Sequence, residues 1–222
     1  MSPVLNLEGF VMDANGIQVY GLGQCPLDYL GRIQSYPPPD AKCEFTDLTM
    51  EGGGPAATAM VALSRWGVSC AFAGVIGDDA FGDRIIASLR DEGIDTTGVA
   101  VRPGGASQFA FIAAEPDTAR RTIFWRRPTG AVLSAGELDY EMIRRAKVIH
   151  TDGLFIEACL AACRAGRDAG AQIVLDAGTL REGMLELVRL SDYCMVSQPF
   201  AHSLVGDKGP VEACRRLKSL GP

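Results

Sequence analysis

The sequence has little with which to bind a metal. It holds two histidines, His150 and His202, and seven cysteines (25, 43, 70, 159, 163, 194 and 214), with no Cys-x-x-Cys pair. No zinc spacing can be built from these, and the odd, unpatterned cysteines read as reduced, mostly buried thiols. Cys159 and Cys163 are four apart on an expected helix face, which would suit a metal pair, but nothing nearby completes a coordination sphere. Long apolar runs are also missing. No uncharged stretch exceeds 14 residues, short of the roughly 20 that span a bilayer. The start, Met1-Ser2-Pro3, lacks the basic segment of a secretory signal. A soluble, cytoplasmic chain with no membrane partner is the expectation. Nor is there a basic excess. Acidic residues outnumber basic ones 27 to 21, the net charge is −6 and the pI is near 5.0, which argues against a nucleic-acid partner held through counterion release.

What the chain does have is core-forming residues and glycine. Its 222 residues are 47% hydrophobic, enough to bury roughly 70% of the unfolded surface. The 26 glycines cluster at Gly21 and Gly23 and at Gly52, Gly53 and Gly54. Residues 1–17 show weak periodicity and read as an N-terminal arm ahead of an α/β domain over 18–222. Val19 to Gly23 is a short apolar strand, Asp28-Tyr29-Leu30 restarts an extended pattern, and Tyr36-Pro37-Pro38-Pro39 breaks it. Pro55 to Trp66 has a helix-starting proline and a closing Gly67. Ser69 to Ile76 is a strand, and Ala80 to Glu92, capped by Asp78 or Asp79, is a helix.

The middle is rich in strands. Val99 to Arg102, Gln108 to Ala114 and Arg121 to Arg127 read as extended segments joined at Gly104-Gly105 and Pro116-Asp117. From Ser134, whose Glu137 makes a capping-box match opening a helix, strand and helix alternate. The segments are Val148–Asp152, Glu157–Ala169, Gln172–Asp176, Glu182–Leu190, Tyr193–Ser197 and Pro210–Leu220. Such alternation calls for a parallel sheet covered on both faces.

Neither glycine cluster matches a nucleotide fingerprint. In Gly21-Leu-Gly23-Gln-Cys-Pro26 a proline occupies the place where a Rossmann helix would pack, and no Lys-Ser/Thr follows Gly52-Gly53-Gly54. The second cluster feeds a helix N-terminus. Two readings stay open there: a tight turn, or a backbone that lets a hydroxylated or anionic ligand approach N–H groups closely.

Several segments together resemble the ribokinase-like (PfkB) carbohydrate and nucleoside kinases over about residues 19–205. Gly21-Leu-Gly23 with Asp28 is similar to the family's first strand and sugar-binding Asp. Gly52-Gly53-Gly54-Pro55-Ala56-Ala57-Thr58 is similar to its Gly-Gly-x-x-x-Asn turn, with Thr58 in the Asn position. Gly74-Val-Ile-Gly77-Asp78-Asp79-Ala80-Phe81-Gly82, Leu89-Arg-Asp-Glu-Gly93-Ile94 and Arg121-Thr122-Ile123 follow in order, and Asp176-Ala-Gly-Thr-Leu-Arg181 resembles Asp-Pro-Asn-x-Arg with one extra residue.

The resemblance implies a three-layer α/β sandwich with a mostly parallel central sheet and a small β lid, from about 32–50 and 100–127. It implies transfer of a phosphoryl group from ATP, with Mg2+, to a primary hydroxyl of a sugar or nucleoside. Asp28, Gly53, Gly54 and Thr58 would then bind substrate. Phe109 and Phe111 have two readings, a wall against the substrate or the core of the lid, which could also serve as a homodimer interface. Arg102, Arg120, Arg121, Arg126 and Arg127 form either a solvated face or contacts to an anionic substrate, with Arg121 and Arg126 as the residues to test.

The chain departs from the family pattern in two places. Ser197-Gln198-Pro199-Phe200 stands where Asn-x-x-Glu is expected, and Gly221-Pro222 comes before the Gly-Ala-Gly-Asp element. No catalytic base, cofactor-binding residue or metal ligand is therefore assigned. The expectation is a kinase complete only with residues beyond 222. The alternative is a truncated, non-catalytic sugar-binding or interaction protein on the same scaffold.

Overall fold

The computed structural model describes residues 16–221. The expected N-terminal arm falls almost wholly outside the described residues. The first part of the chain forms β1 (Val19–Leu22), β2 (Leu27–Arg32), β3 (Asp47–Gly52), α1 (Pro55–Arg65), β4 (Cys70–Gly77), α2 (Ala80–Asp91) and β5 (Asp95–Arg102). Then come β6 (Phe109–Glu115), β7 (Arg120–Arg126), α3 (Tyr140–Arg145), β8 (Val148–Thr151), α4 (Ile156–Asp168) and β9 (Gln172–Ala177). The described chain closes with α5 (Met184–Leu190), β10 (Tyr193–Val196), α6 (Gln198–Val205) and α7 (Gly209–Lys218).

Six strands make an all-parallel central sheet in the order β10-β9-β8-β1-β4-β5. Because side chains alternate along a strand, β1 sends Val19 to one face and Tyr20 and Leu22 to the other. On the first face, Val19, Cys70 and Phe72 pack with Ala56, Ala57 and Met60 of α1 and with Ile85 and Leu89 of α2. On the second, Tyr20, Leu22, Ile149, Ile173 and Leu175 pack with residues of α3, α4, α5 and α7. Burial at this level stabilises the fold by about 1.5–3 kcal/mol per large apolar side chain. The sandwich inferred from the alternating pattern is present, and the sheet is parallel throughout.

A second sheet, in the order β3-β2-β6-β7, joins antiparallel pairs β2–β3 and β6–β7 through a parallel β2–β6 pair. Its strands begin at Leu27 and Phe109, and Val99–Arg102 belongs instead to β5 at the edge of the central sheet. Asp79 ties the sheets together. Its Oδ1 caps α2 by accepting from Gly82 N at 2.8 Å, and its carboxylate also accepts from Ser107 N at 2.8 Å and Ser107 Oγ at 2.6 Å.

Two local outcomes differ from the sequence pattern. The capping box at Ser134 and Glu137 forms, but it opens a single 3-10 turn, because Leu138 is extended and Asp139 supplies a new cap for α3. The helix α6 was not anticipated. Ser197 caps it and Pro199 sits in its first turn, a combination that favours helix initiation.

Candidate acceptor site

The order of the central sheet reverses direction around β1, since the chain first adds β4 and β5 on one side and then returns to add β8, β9 and β10 on the other. Ligands of open parallel sheets bind outside the carboxyl ends of the strands at such a switch point. Here those ends carry Gln24 after β1, Asp152 after β8, and Asp176, Gly178, Thr179 and Arg181 at and after β9. The second sheet stands over them. Together they enclose a cavity of about 310 Å3, to which that sheet contributes Asp28, Ala110, Ile112, Ile123 and Trp125.

Asp28 is the most exacting residue in this wall. Its Oδ1 is buried and has no hydrogen-bond partner, and burial pushes its carboxyl up to about 6. A buried acceptor without a donor costs about 1–3 kcal/mol, so the position favours a ligand that brings one. The Gly-rich turn explains how the carboxyl fits. A Cβ on Gly53 would lie 2.0 Å from Asp28 Oδ2. Gly54 has φ +91°, and a Cβ there would lie 2.3 Å from the Gln24 carbonyl oxygen. Both glycines are required by close approach. They support the carboxylate from behind.

A matching device lies across the cavity. Asp152 is buried, and its oxygens accept from Gln24 N at 2.7 Å and Leu154 N at 3.0 Å. Burial raises its pKa, those N–H groups pull against the rise, and the charge of Asp176 adds to it. A Cβ on Gly23 would sit 2.3 Å from Asp152 Oδ2. Gln24, held by Asp152 through its backbone, accepts on its Oε1 from Gln108 Nε2 and from Arg127 Nη1, each at 3.0 Å. Asp176 is raised by burial as well.

The sequence-derived candidates divide. Asp28, Gly53 and Gly54 come together as described. Thr58 lies to one side. The apolar face of α1 is Ala56, Ala57 and Met60, which turns Thr58 to the exposed flank, into a neighbouring groove of about 490 Å3 between β3, α1 and α2 that Gly52 and Gly53 also line. That groove is larger but lacks a buried, unpartnered polar atom. Phe109 and Phe111 alternate with Ala110 and Ile112, so when the latter line the cavity the two rings point to the opposite face of the sheet. There Phe109 meets Tyr29 and Phe81, and Phe111 meets Phe45 and Phe124. The same alternation takes Arg126 out to Phe109, 5.9 Å from its ring centroid. Arg121 is likewise absent from the cavity wall, and Arg127 is the arginine of this segment that reaches it. The sequence pattern did not single out Gln24, Gln108 or Asp152. A carboxylate followed by Gly at the end of the apolar strand Val148–Asp152 was the available signal.

A covered parallel sheet with a polar cavity at its switch point, beneath a small second sheet, defines an α/β protein of the layered-sandwich class. The pfkB family carbohydrate kinase model matches residues 19–220, and the chain belongs to that family. It is 39% identical to fructokinase-1 of Zea mays over 144 residues, 62% of this chain and 44% of that protein. The chain spans about half the length, or less, of the curated relatives it matches. Among solved structures, an Agrobacterium tumefaciens protein assigned as a ribokinase superposes with TM-score 0.83 at 25% identity, covering 92% of this chain and 67% of that one. The Arabidopsis thaliana ribokinase complexed with ribose and ATP superposes with TM-score 0.73 at 18% identity, covering 93% and 70%. The fold is ribokinase-like.

Proposed function

We propose that this chain forms the acceptor-binding part of an ATP-dependent sugar kinase, which places a primary hydroxyl for phosphorylation. The observation that carries the reading is the buried, unpartnered Oδ1 of Asp28, a residue of the cavity wall at the switch point of the sheet. A sugar hydroxyl would donate to it, a charge-assisted contact stronger than a neutral one. The second sheet, made of β2, β3, β6 and β7, would act as a lid that excludes water from the acceptor. Its exposed Leu48 and Phe124 support a homodimer through the lid, which light scattering would detect as a doubled mass.

ATP with Mg2+ as the donor follows from the family. The residues present do not fit a site for it. Ser197 caps α6 and donates to Gly178 O at 2.7 Å, and its neighbours Gln198, Pro199 and Phe200 carry no carboxylate. Among the described residues no group of three or more His, Cys, Asp or Glu is arranged for a metal. No residue of this chain is assigned as base or metal ligand, and no step is derived through the donor.

Calorimetry of the chain against fructose, ribose and adenosine, with and without Mg-ATP, tests the reading. Binding of a sugar that Asp28→Asn weakens is expected. Unchanged binding in Asp28→Asn, or no sugar binding at all, would overturn it. The same protein incubated with Mg-ATP and the bound sugar reports whether phosphoryl transfer occurs.

A further inference from the structure

The cavity wall contains a charge arrangement that a neutral sugar leaves unanswered. Arg127 and Arg181 both line the cavity; burial and then the charge of Arg181 lower the pKa of Arg127, and the charge of Asp152 offsets part of that. Neither enters an ion pair among the described residues. Arg127 is held all the same. Its Nη1 donates to Gln24 Oε1 at 3.0 Å, and its guanidinium lies over the Trp125 ring, 4.5 Å from the centroid. An amide oxygen and an aromatic face fix a guanidinium in place without neutralising its charge. Gln24 is in turn fixed by Gln108 and, through its backbone, by Asp152. The result is a positioned cation facing a second, half-buried cation with no hydrogen-bond partner of its own among the described residues.

Two like charges brought together in a partly desolvated wall repel each other, and a shared anion would relieve the repulsion. The carboxyls on the same cavity supply it only in part, through the charge of Asp152 near Arg127, and none of them pairs with either guanidinium. Asp152 spends its oxygens on backbone N–H groups, Asp28 rests against Gly53 on the lid side, and Asp176 makes no ion pair with either arginine. Burial raises the pKa of all three.

We infer that the acceptor carries an anionic group, a carboxylate or a phosphate, held between Arg127 and Arg181 while a hydroxyl of the same molecule meets Asp28. The inference rests on the sugar-kinase reading above and narrows it from sugars in general to acidic sugars. Planar guanidiniums suit either anion, because each presents paired N–H donors to two oxygens.

The test uses the 222-residue chain and calorimetric titration with matched pairs: D-glucose against D-gluconate, and D-fructose against fructose 1-phosphate. Hydrogen bonds to charged groups lead us to expect about tenfold to a hundredfold tighter binding of an acid than of its neutral partner. Which pair shows the preference identifies carboxylate or phosphate. Arg181→Gln, which removes one of the two repelling charges from a side chain with no protein partner, should erase the preference without lowering the unfolding midpoint, and Arg127→Gln should erase it too. Sulfate alone, followed as a rise in unfolding midpoint lost in both variants, reads the anion slot independently of any sugar. Neutral sugars binding as well as the acids, or a preference surviving in both variants, overturns the inference and leaves the sugar-kinase reading standing. Arginine-dependent sulfate stabilisation with no sugar or sugar acid bound supports the slot and overturns the sugar-kinase reading. If no ligand binds, both fall.

Discussion

The two faces of the second sheet differ more than the strands that make them. Toward the central sheet, β2, β6 and β7 present Asp28, Ala110, Ile112, Ile123 and Trp125, a wall with space and one unanswered carboxyl oxygen. On the opposite face they present Tyr29 and Phe109, which meet Phe81 of α2, and Phe111 and Phe124. Tyr29 and Phe81 lie 6.0 Å apart, Phe45 and Phe111 5.4 Å, and Phe111 and Phe124 6.3 Å. One face is shaped by what it leaves open and the other by what it fills. Since successive residues of a strand change faces, role here follows parity along the strand rather than residue type.

The sharpest way to break this comparison is Gly53→Ala. The added Cβ would fall 2.0 Å from Asp28 Oδ2, so the carboxyl must leave the position it holds. We expect acceptor binding to fall beyond detection by calorimetry, at a stability cost of about 1–3 kcal/mol. Asp28→Asn is milder, since it keeps the shape and removes the charge. Acceptor affinity should fall about tenfold to a hundredfold, and wild-type affinity should weaken as pH falls through about 6, a dependence the variant lacks. Phe111→Ala addresses the other face. Acceptor affinity should stay within about threefold while chemical denaturation shows a loss of roughly 1–2 kcal/mol, below the cost of a fully buried ring because Phe111 is only half-buried. A large loss of affinity in Phe111→Ala would mean that the aromatic face takes part in binding.

Much of the scaffold was legible in the sequence because it depends on local rules. Strand and helix alternate with clear caps, and Asp79 and Pro55 mark helix starts that the structure contains. The glycine cluster announced a close approach, and the structure shows what approaches: the carboxyl of Asp28. The rest of the site is assembled by convergence. Gln24, Asp152 and Arg181 come from the ends of three strands far apart in the chain, and no spacing rule joins them. Parity was visible for Phe109 and Phe111, but which parity looks inward depends on how the second sheet docks, through Asp79 and Ser107. For the same reason Arg126 and Arg127 could not be told apart. Thr58 was placed by motif position, whereas its exposure follows from which side of α1 is apolar.

The comparison of faces also carries a thermodynamic signature at Asp28. Its carboxyl moves from 3.8 to about 6 on folding because burial disfavours the charge. Between those values the folded state holds a proton the unfolded state has lost, so this group makes stability fall as pH rises from about 4 to about 6, and the loss is complete above that. A shift of this size corresponds to about 3 kcal/mol if fully felt, and partial exposure of the side chain screens it to on the order of 1 kcal/mol. Asp28→Asn should therefore be more stable than wild type at pH 7, with an unfolding midpoint about 2–4 °C higher, and the gap should close by pH 4. His150 works in the other direction, since burial holds it down to about 4 and the unfolded state gains a proton first as pH falls. It is common to both proteins, as are Asp152 and Asp176, so the difference between variant and wild type isolates Asp28. A variant that binds acceptor less well yet unfolds later at pH 7 would identify Asp28 as a residue whose charge costs stability and serves the ligand. Equal midpoints at pH 7 would instead mean that the carboxyl is solvated, and the contrast between the two faces would rest on packing alone.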